Sequence, residues 1–325
     1  MDKNVIARIL EMYGVKYTRQ LAVQKGYRNE SHAVALAGGT MLNLIMYKNE
    51  PGILAKIKNA NHVSNYLAGQ GFPARQTYDD RIAQLKSPTG AVKYGSLYAY
   101  LPGKTIPWET YTMEHLKTLG QTMSDMHAAL KNLPGGGLPP VADEYIAILD
   151  RMERYFNDPQ VATAIARKLQ LKVDTTTIPN LKRLLRKTKT LPGQQVLHMD
   201  FVRGNVLFDD TAGQTAISGI LDFEKTAYGH PLFDIARTTA FLLVDCKYKE
   251  AEKVRKYFLQ SGYTKRGTSK FKHVTIEGNE TTLFENLINL FLLHDFYKFL
   301  RHNPYEHLQE NEHYLRTVAS LAILR

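Results

Sequence analysis

The chain has one cysteine, Cys246, and one tryptophan, Trp108. A single cysteine excludes an intramolecular disulfide and any multi-cysteine zinc site, and it fits a reducing compartment, so a cytoplasmic protein is expected. Long apolar runs are scarce as well. The strongest, around 241–244 and 287–293, fall far short of the ~20 residues that cross a bilayer, and no membrane partner is expected. The opening MDKNVIARILEMYG mixes an acid with its bases and has no uninterrupted apolar core before a small-residue cleavage site. It reads as a structural first helix rather than a secretory signal. Long repeats and low-complexity tracts are also missing.

What is present describes a globular protein. With 44% hydrophobic and 22% charged residues the chain can bury a core, and 325 residues suggest two lobes. Lysine and arginine (42) exceed aspartate and glutamate (31), a net charge of +11 that suits an anionic partner such as a nucleotide. The basic run Lys182, Arg183, Arg186, Lys187, Lys189 reads as a solvated helix face, because no stacking aromatics interleave it. Nucleic acid is therefore not expected as a partner.

The pattern changes along the chain. Val5, Ile6, Ile9, Leu10 and Tyr13 recur at helical spacing before Gly14, which predicts a short first helix. LAVQKGYRNE, HAVALAGG and MLNLIMYK are strand-length segments separated by turn residues, and RIAQLKS and GSLYAYL add two more. Between the two groups, ILAKIKNANHVSNYLAGQGFP carries Ile53, Ile57, Val63, Tyr66 and Leu67 on one helical stripe. Residues 1–100 thus predict a small antiparallel sheet with one inserted helix. After Leu101-Pro102-Gly103, residues 101–325 are mostly helical, with helices expected at 113–130, 145–156, 161–171, 179–187, 250–261 and 282–302. The expected class is α+β.

One β-rich stretch, residues 196–224, interrupts the helices and concentrates the polar chemistry. His198-x-Asp200 precedes Asn205 by five residues from the aspartate, and two short strands then lead to Asp222-Phe223. Metal-assisted phosphoryl transfer needs a carboxylate to accept the proton of an attacking hydroxyl, a carboxamide oxygen on Mg²⁺, and a second carboxylate on Mg²⁺. Asp200, Asn205 and Asp222 supply those three groups. His198 is expected to hold the loop rather than to move protons. Arg203, inside the same loop, is a candidate for neutralising charge at the transfer point.

HMDFVRGN followed by LDFE resembles the catalytic and metal-binding segments of the protein-kinase-like small-molecule kinases, the aminoglycoside phosphotransferase and choline kinase group. Protein kinases have His-Arg-Asp with asparagine at this offset, then Asp-Phe-Gly; Met199 and Glu224 replace the arginine and the glycine here and point to the small-molecule branch. SGILDFEKTAYGHPLFDIA and IPWETYTMEHLKTLGQTMSDMHAAL are similar to the homoserine-kinase-like members. The resemblance implies a bilobal protein-kinase-like fold, and ATP and Mg²⁺ as cofactors. It also implies a small-molecule hydroxyl acceptor: an amino alcohol, a sugar or an aminoglycoside-like compound. It further implies that Gly26, Asn29 and Ser31 lie in a phosphate-covering loop, that Lys48 contacts the phosphates, and that Tyr98, Tyr100 and Leu101 form the adenine hinge. Asp234 would brace the catalytic loop.

One departure stands out. The lysine of this group commonly pairs with a glutamate on the following helix, yet no carboxylate lies between Pro51 and Gln76. That absence raises a second reading, a nucleotide-binding pseudokinase with a regulatory role. His198, Asp200 and His230 could also form a two-histidine, one-carboxylate iron site, which would leave Asn205 and Asp222 without a task. Trp108, Glu109, Tyr111, Asp295, Phe296 and Tyr297 are candidates for an acceptor pocket, although core packing accounts for most of the helical stripes.

Overall fold

The computed structural model describes residues 3–21, 24–25, 29–86, 92–210, 215–246, 248–264 and 279–321. The chain divides into two compact units. The first comprises Met1–Lys104, Asn205–Asp209 and Ile217–Lys225, and the second comprises Thr105–Gly204, Asp210–Ala216 and Thr226–Arg325.

In the first unit, α1 (Lys3–Met12) is followed by β1 (Tyr17–Gln20), β2 (Gln24–Lys25), β3 (Glu30–Leu36), β4 (Met41–Tyr47), α2 (Ile53–Gly69), β5 (Ala83–Lys86) and β6 (Val92–Ala99). The strands form one antiparallel sheet in the order β1-β3-β4-β6-β5, with β2 also on β3. The two-residue period of β4 decides how both faces are covered. Leu42, Leu44 and Met46 join Ile6, Ile9 and Leu10 of α1 and Tyr13 just after it in one core, whereas Ile45 and Tyr47 join Ile53 and Ile57 of α2 and Tyr98 of β6 in the other. The sheet and inserted helix anticipated from the pattern are present. The first strand lies earlier than expected, at Tyr17–Gln20, where polar residues gave no alternation to read.

The second unit is helical: α3 (Met113–Leu130), α4 (Val141–Phe156), α5 (Pro159–Leu169), α6 (Thr177–Thr188), then β7 (Gln195–Leu197). After β8 (Val206–Asp209) and β9 (Ala216–Ile220) come β10 (Ala227–Gly229), α7 (Leu232–Asp245), α8 (Ala251–Arg255), a π-helical run (Lys256–Tyr263), α9 (Asn279–His302), α10 (Tyr305–Leu308) and α11 (Glu312–Ser320). Helix α3 begins on a capping box, with Thr112 Oγ1 accepting from the His115 N–H and the His115 ring accepting from the Thr112 N–H. Gly120 lets α3 lie against the π-helical run: a Cβ there would overlap the carbonyl oxygen of Phe258.

Helix α7 was not anticipated from the sequence. Eleven of its residues are buried, among them Asp234, Arg237, Thr238 and Thr239, so it shows no polar face from which a period could be read. The segment expected as one helix at 250–261 is instead five α-helical residues followed by the π-helical run. No helix among the described residues is long and apolar enough to cross a membrane.

Candidate active site

Strand β7 pairs antiparallel with β10 and delivers the chain into the loop at His198. That loop is held by Asp234 at the start of α7, which is 1% exposed. Its carboxylate accepts from the His198 N–H (2.8 Å) and the Met199 N–H (2.6 Å), and lies 3.2 Å from Nε2 of His127. Burial opposes its charge, but His127, His198 and these hydrogen bonds outweigh burial and hold it below the usual carboxylate range. The Asp200 N–H donates to Nδ1 of the fully buried His198 (3.1 Å), which leaves the imidazole as a support for the loop. Met199 takes a left-handed φ of 59°, a conformation that a non-glycine side chain keeps only where its surroundings fix it.

The Asp200 side chain is 14% exposed and does not stand alone. Arg237, one turn along α7 from Asp234, donates from Nη2 to Asp200 Oδ1 at 3.0 Å and from Nη1 to the Tyr145 hydroxyl of α4 at 2.9 Å. Burial works against the guanidinium charge, but Tyr145, Asp200 and Asp295 more than compensate. A buried cation, itself held by a phenol, thus fixes one oxygen of the Asp200 carboxylate. Arg237 was not singled out from the sequence; its one signal was an arginine three residues after Asp234. Arg203, which was singled out, is exposed in a short 3-10 turn, Arg203–Asn205.

In the first unit, Asn205 and Asp222 are brought together by the backbone. The Leu221 N–H donates to the Asn205 carbonyl at 2.8 Å, so the start of β8 and the end of β9 are tied where the two side chains emerge. Asn205 is buried, and Asp222 has a left-handed φ of 55° and a half-exposed side chain. A carboxamide and a carboxylate on hydrogen-bonded strand ends are an all-oxygen donor set, which fits a hard cation such as Mg²⁺.

Beside them lies a polar cluster that the sequence did not disclose. Arg75, in the segment after α2, is 2% exposed. Its Nη2 donates to Glu224 Oε1 at 2.9 Å, its Nη1 lies 3.8 Å from Asp222 Oδ1, and its guanidinium carbon stands 4.2 Å over the Tyr98 ring. The Tyr98 hydroxyl donates to Asn61 Oδ1 of α2 (2.6 Å) and lies 2.6 Å from the Tyr47 hydroxyl at the end of β4. Nothing local in sequence links these five residues.

The other anticipated site residues are distributed as follows. Gly26 lies outside the described residues. Asn29 Oδ1 accepts from the Lys48 N–H at 3.3 Å, and the Ser31 hydroxyl donates to Asn43 Oδ1 at 2.8 Å across β3 and β4. Lys48 is exposed, one residue beyond the end of β4. Glu50, two residues on, pairs with Lys56. Tyr98 is fully buried, with its ring beneath Arg75. Tyr100 is exposed and Leu101 half-buried just past β6. The iron-site reading is not supported by the geometry. His198 and His230 each commit Nδ1 to a backbone N–H, of Asp200 and Leu232, and no group of three His, Cys, Asp or Glu residues among those described could hold a metal ion.

Comparison with known proteins gives this constellation a family. Residues 21–253 match the model of the phosphotransferase enzyme family. No curated protein matches the chain by sequence. Among solved structures, a microcompartment-associated aminopropanol kinase is similar with a TM-score of 0.71 at 15% identity, covering 98% of this chain and 94% of its own. An amicoumacin kinase solved with AMP-PNP and Ca²⁺ has a TM-score of 0.67 at 14% identity, covering 99% and 98%. A macrolide 2'-phosphotransferase from Brachybacterium faecium has a TM-score of 0.59 at 13% identity, covering 98% and 97%. The fold is the protein-kinase-like α+β fold of these enzymes. The chain belongs to the phosphotransferase enzyme family.

Proposed function

We propose that this member of the phosphotransferase family is an ATP- and Mg²⁺-dependent small-molecule kinase that phosphorylates a hydroxyl of an amino alcohol, sugar or aminoglycoside-like acceptor. The observation that carries the reading is Asp200: a carboxylate steered by the buried Arg237, on a loop anchored by Asp234, five residues ahead of the Asn205 that is tied to Leu221-Asp222.

In this mechanism Asp200 orients the acceptor hydroxyl and takes its proton as the oxygen attacks the γ-phosphorus, whose bond to the β,γ-bridging oxygen breaks with its electron pair leaving on ADP. Arg237 keeps the accepting carboxylate charged and fixed, so little reorganisation is needed at the moment of transfer. Asn205 and Asp222 would hold Mg²⁺, which would supply positive charge against the negative charge that develops in the transfer. Lys48 and the loop containing Gly26, Asn29 and Ser31 are proposed for the phosphates, and Tyr100 and Leu101 for the adenine edge. The domains proposed for these tasks are 1–100 for the nucleotide and 101–325 for catalysis and the acceptor. A cytoplasmic location goes with this reading, since nucleotide and acceptor are met there.

The test is ADP release with Mg²⁺-ATP across homoserine, choline, ethanolamine, 1-amino-2-propanol, methylthioribose and aminoglycosides, for the wild type and Asp200→Asn. Stimulation by one acceptor, abolished in the variant, is the expected result. Nucleotide binding without turnover on any acceptor would instead favour the regulatory pseudokinase, and no nucleotide binding would overturn both.

A further inference from the structure

The first unit contains a buried cation that the assignment above does not use. Arg75 is enclosed, and among the described residues its Nε and Nη1 make no hydrogen bond. Placing a guanidinium in the interior costs several kcal/mol unless its charge is compensated. Here the compensation comes from Glu224 at 2.9 Å and Asp222 at 3.8 Å, the two carboxylates that flank Phe223. The chain on either side of Arg75 is pinned as well: Ala74 bridges Ile220 of β9, Thr77 bridges Tyr98 of β6, and the Ile220 N–H donates to the Pro73 carbonyl at 2.7 Å. The arginine is therefore registered against the same strand that carries Asp222 two residues later.

Among the described residues no ion pair joins Lys48 to α2. Lys48 is exposed beyond its strand, and α2 offers no carboxylate. Instead β4, β6 and α2 are joined by neutral groups, through Tyr47, Tyr98 and Asn61. Arg75 lies on the face of the middle member of that chain, where a desolvated guanidinium is attracted to the ring's electron-rich face. The sheet, the helix and the Asp222 segment thus meet at one guanidinium.

We propose that Arg75 is a positioning residue for the metal-binding carboxylate: tied to Glu224 and stacked on Tyr98, it fixes the orientation of Asp222 and replaces the strand-lysine and helix-glutamate pair that this chain lacks. The inference rests on the kinase reading, in which Asp222 holds the metal. Asp222 keeps a left-handed backbone conformation, which a non-glycine residue maintains only when its neighbours over-determine it. Arg75, pinned on both sides along its own chain, places a fixed charge 3.8 Å from Asp222 Oδ1. Arg75 touches neither nucleotide nor acceptor in this assignment and acts through Asp222 alone.

The experiment measures Mn²⁺ binding to the protein–AMP-PNP complex by electron paramagnetic resonance, with Mn²⁺ standing in for Mg²⁺, alongside the thermal melt of the metal-free protein. Two variants are compared with the wild type. Arg75→Lys retains the charge that Glu224 needs but loses the planar fork and the stack, and the double variant Arg75→Met/Glu224→Leu removes the buried pair together, an exchange that folds generally tolerate. Removing a group that orients a metal ligand weakens metal binding by about 10–100-fold, and that loss is expected in each folded variant.

Wild-type Mn²⁺ affinity in a folded variant would overturn the inference and leave the kinase reading standing. Failure of both variants to fold would overturn it in favour of a purely structural arginine. A wild-type protein that binds no Mn²⁺–AMP-PNP would take down the kinase reading and this inference with it.

Discussion

Asp200 and Arg237 stand 37 positions apart in sequence and meet at 3.0 Å, with Tyr145 on the far side of the guanidinium. The pair separates two roles that single substitutions can distinguish. Asp200→Asn keeps an acceptor oxygen for Arg237 but cannot take a proton, so kcat should fall by about 10²–10⁴. Nucleotide affinity should stay near wild type in calorimetric titration with AMP-PNP, whereas urea unfolding should show a loss of stability because the buried Arg237 keeps its hydrogen bond but loses a compensating charge. A variant that turns over at the wild-type rate would remove Asp200 as the base.

Arg237→Met should act chiefly on stability. It strands a carboxylate that is 14% exposed and leaves the buried Tyr145 hydroxyl without its donor. Breaking a buried pair from one side costs about 3–5 kcal/mol. Urea unfolding should show a shift of that order, whereas Tyr145→Phe should lose about 1–3 kcal/mol because it leaves one buried N–H unsatisfied.

Asp234 should matter to the loop without touching any reacting group. Two backbone N–H groups and His127 converge on its carboxylate, and Asp234→Ala would take this acceptor away from all three. A loss of about 3 kcal/mol or more is expected, together with a fall in kcat. Asp234→Asn should recover part of both, since its oxygen still accepts; equal damage from Asn and Ala would mean that the charge, and not the hydrogen bonding, holds the loop.

His313 of α11 supplies a pH dependence. Burial lowers its pKa, but Asp245 at 2.6 Å and Asp295 at 2.9 Å prevail and raise it to about 9. Lys298 also pairs with Asp295, and Phe241 and Phe299 flank the ring. A histidine whose folded pKa exceeds its unfolded value stabilises the protein fully below about 6.5, and that contribution is lost as pH rises through the folded value. The melting temperature should therefore decline between about pH 6.5 and about pH 9. His313→Gln should flatten this part of the profile, and an unchanged slope in the variant would refute the clamp.

Gly120→Ala tests the close approach of α3 to the π-helical run. Its Cβ would overlap the Phe258 carbonyl and lie 2.8 Å from the Tyr263 N–H, neither of which can yield as a flexible side chain would. A destabilisation of about 1–3 kcal/mol or more is expected in thermal or chemical unfolding. Gly69→Ala, with nothing within 4 Å at the end of α2, should raise stability by up to about 1 kcal/mol. Equal effects at the two sites would deny the packing role.

The sheet with its inserted helix and the long amphipathic helices were legible in the sequence because each is half-exposed, and solvent imprints a period of two or 3.6 on the face it touches. Asp200, Asn205 and Asp222 stood out as candidates because their spacing resembles that of the protein-kinase catalytic and metal-binding segments. Helix α7 was not legible, since burial on all sides erases the period, and the terminal α11 was too short to stand out.

The sequence by itself determined the α+β class, the order of its elements and the carboxylates available for chemistry, all of which depend on residues near one another in the chain. Tertiary structure alone decided which cations hold those carboxylates: Arg237 for Asp200, and Arg75 for Glu224 and Asp222, the latter pair separated from its arginine by about 150 residues. The physical reason is that a buried charge is compensated by whatever opposite charge the fold brings within a few ångströms. Such proximity in space leaves no periodicity or local spacing by which Arg75 and Glu224 could be matched.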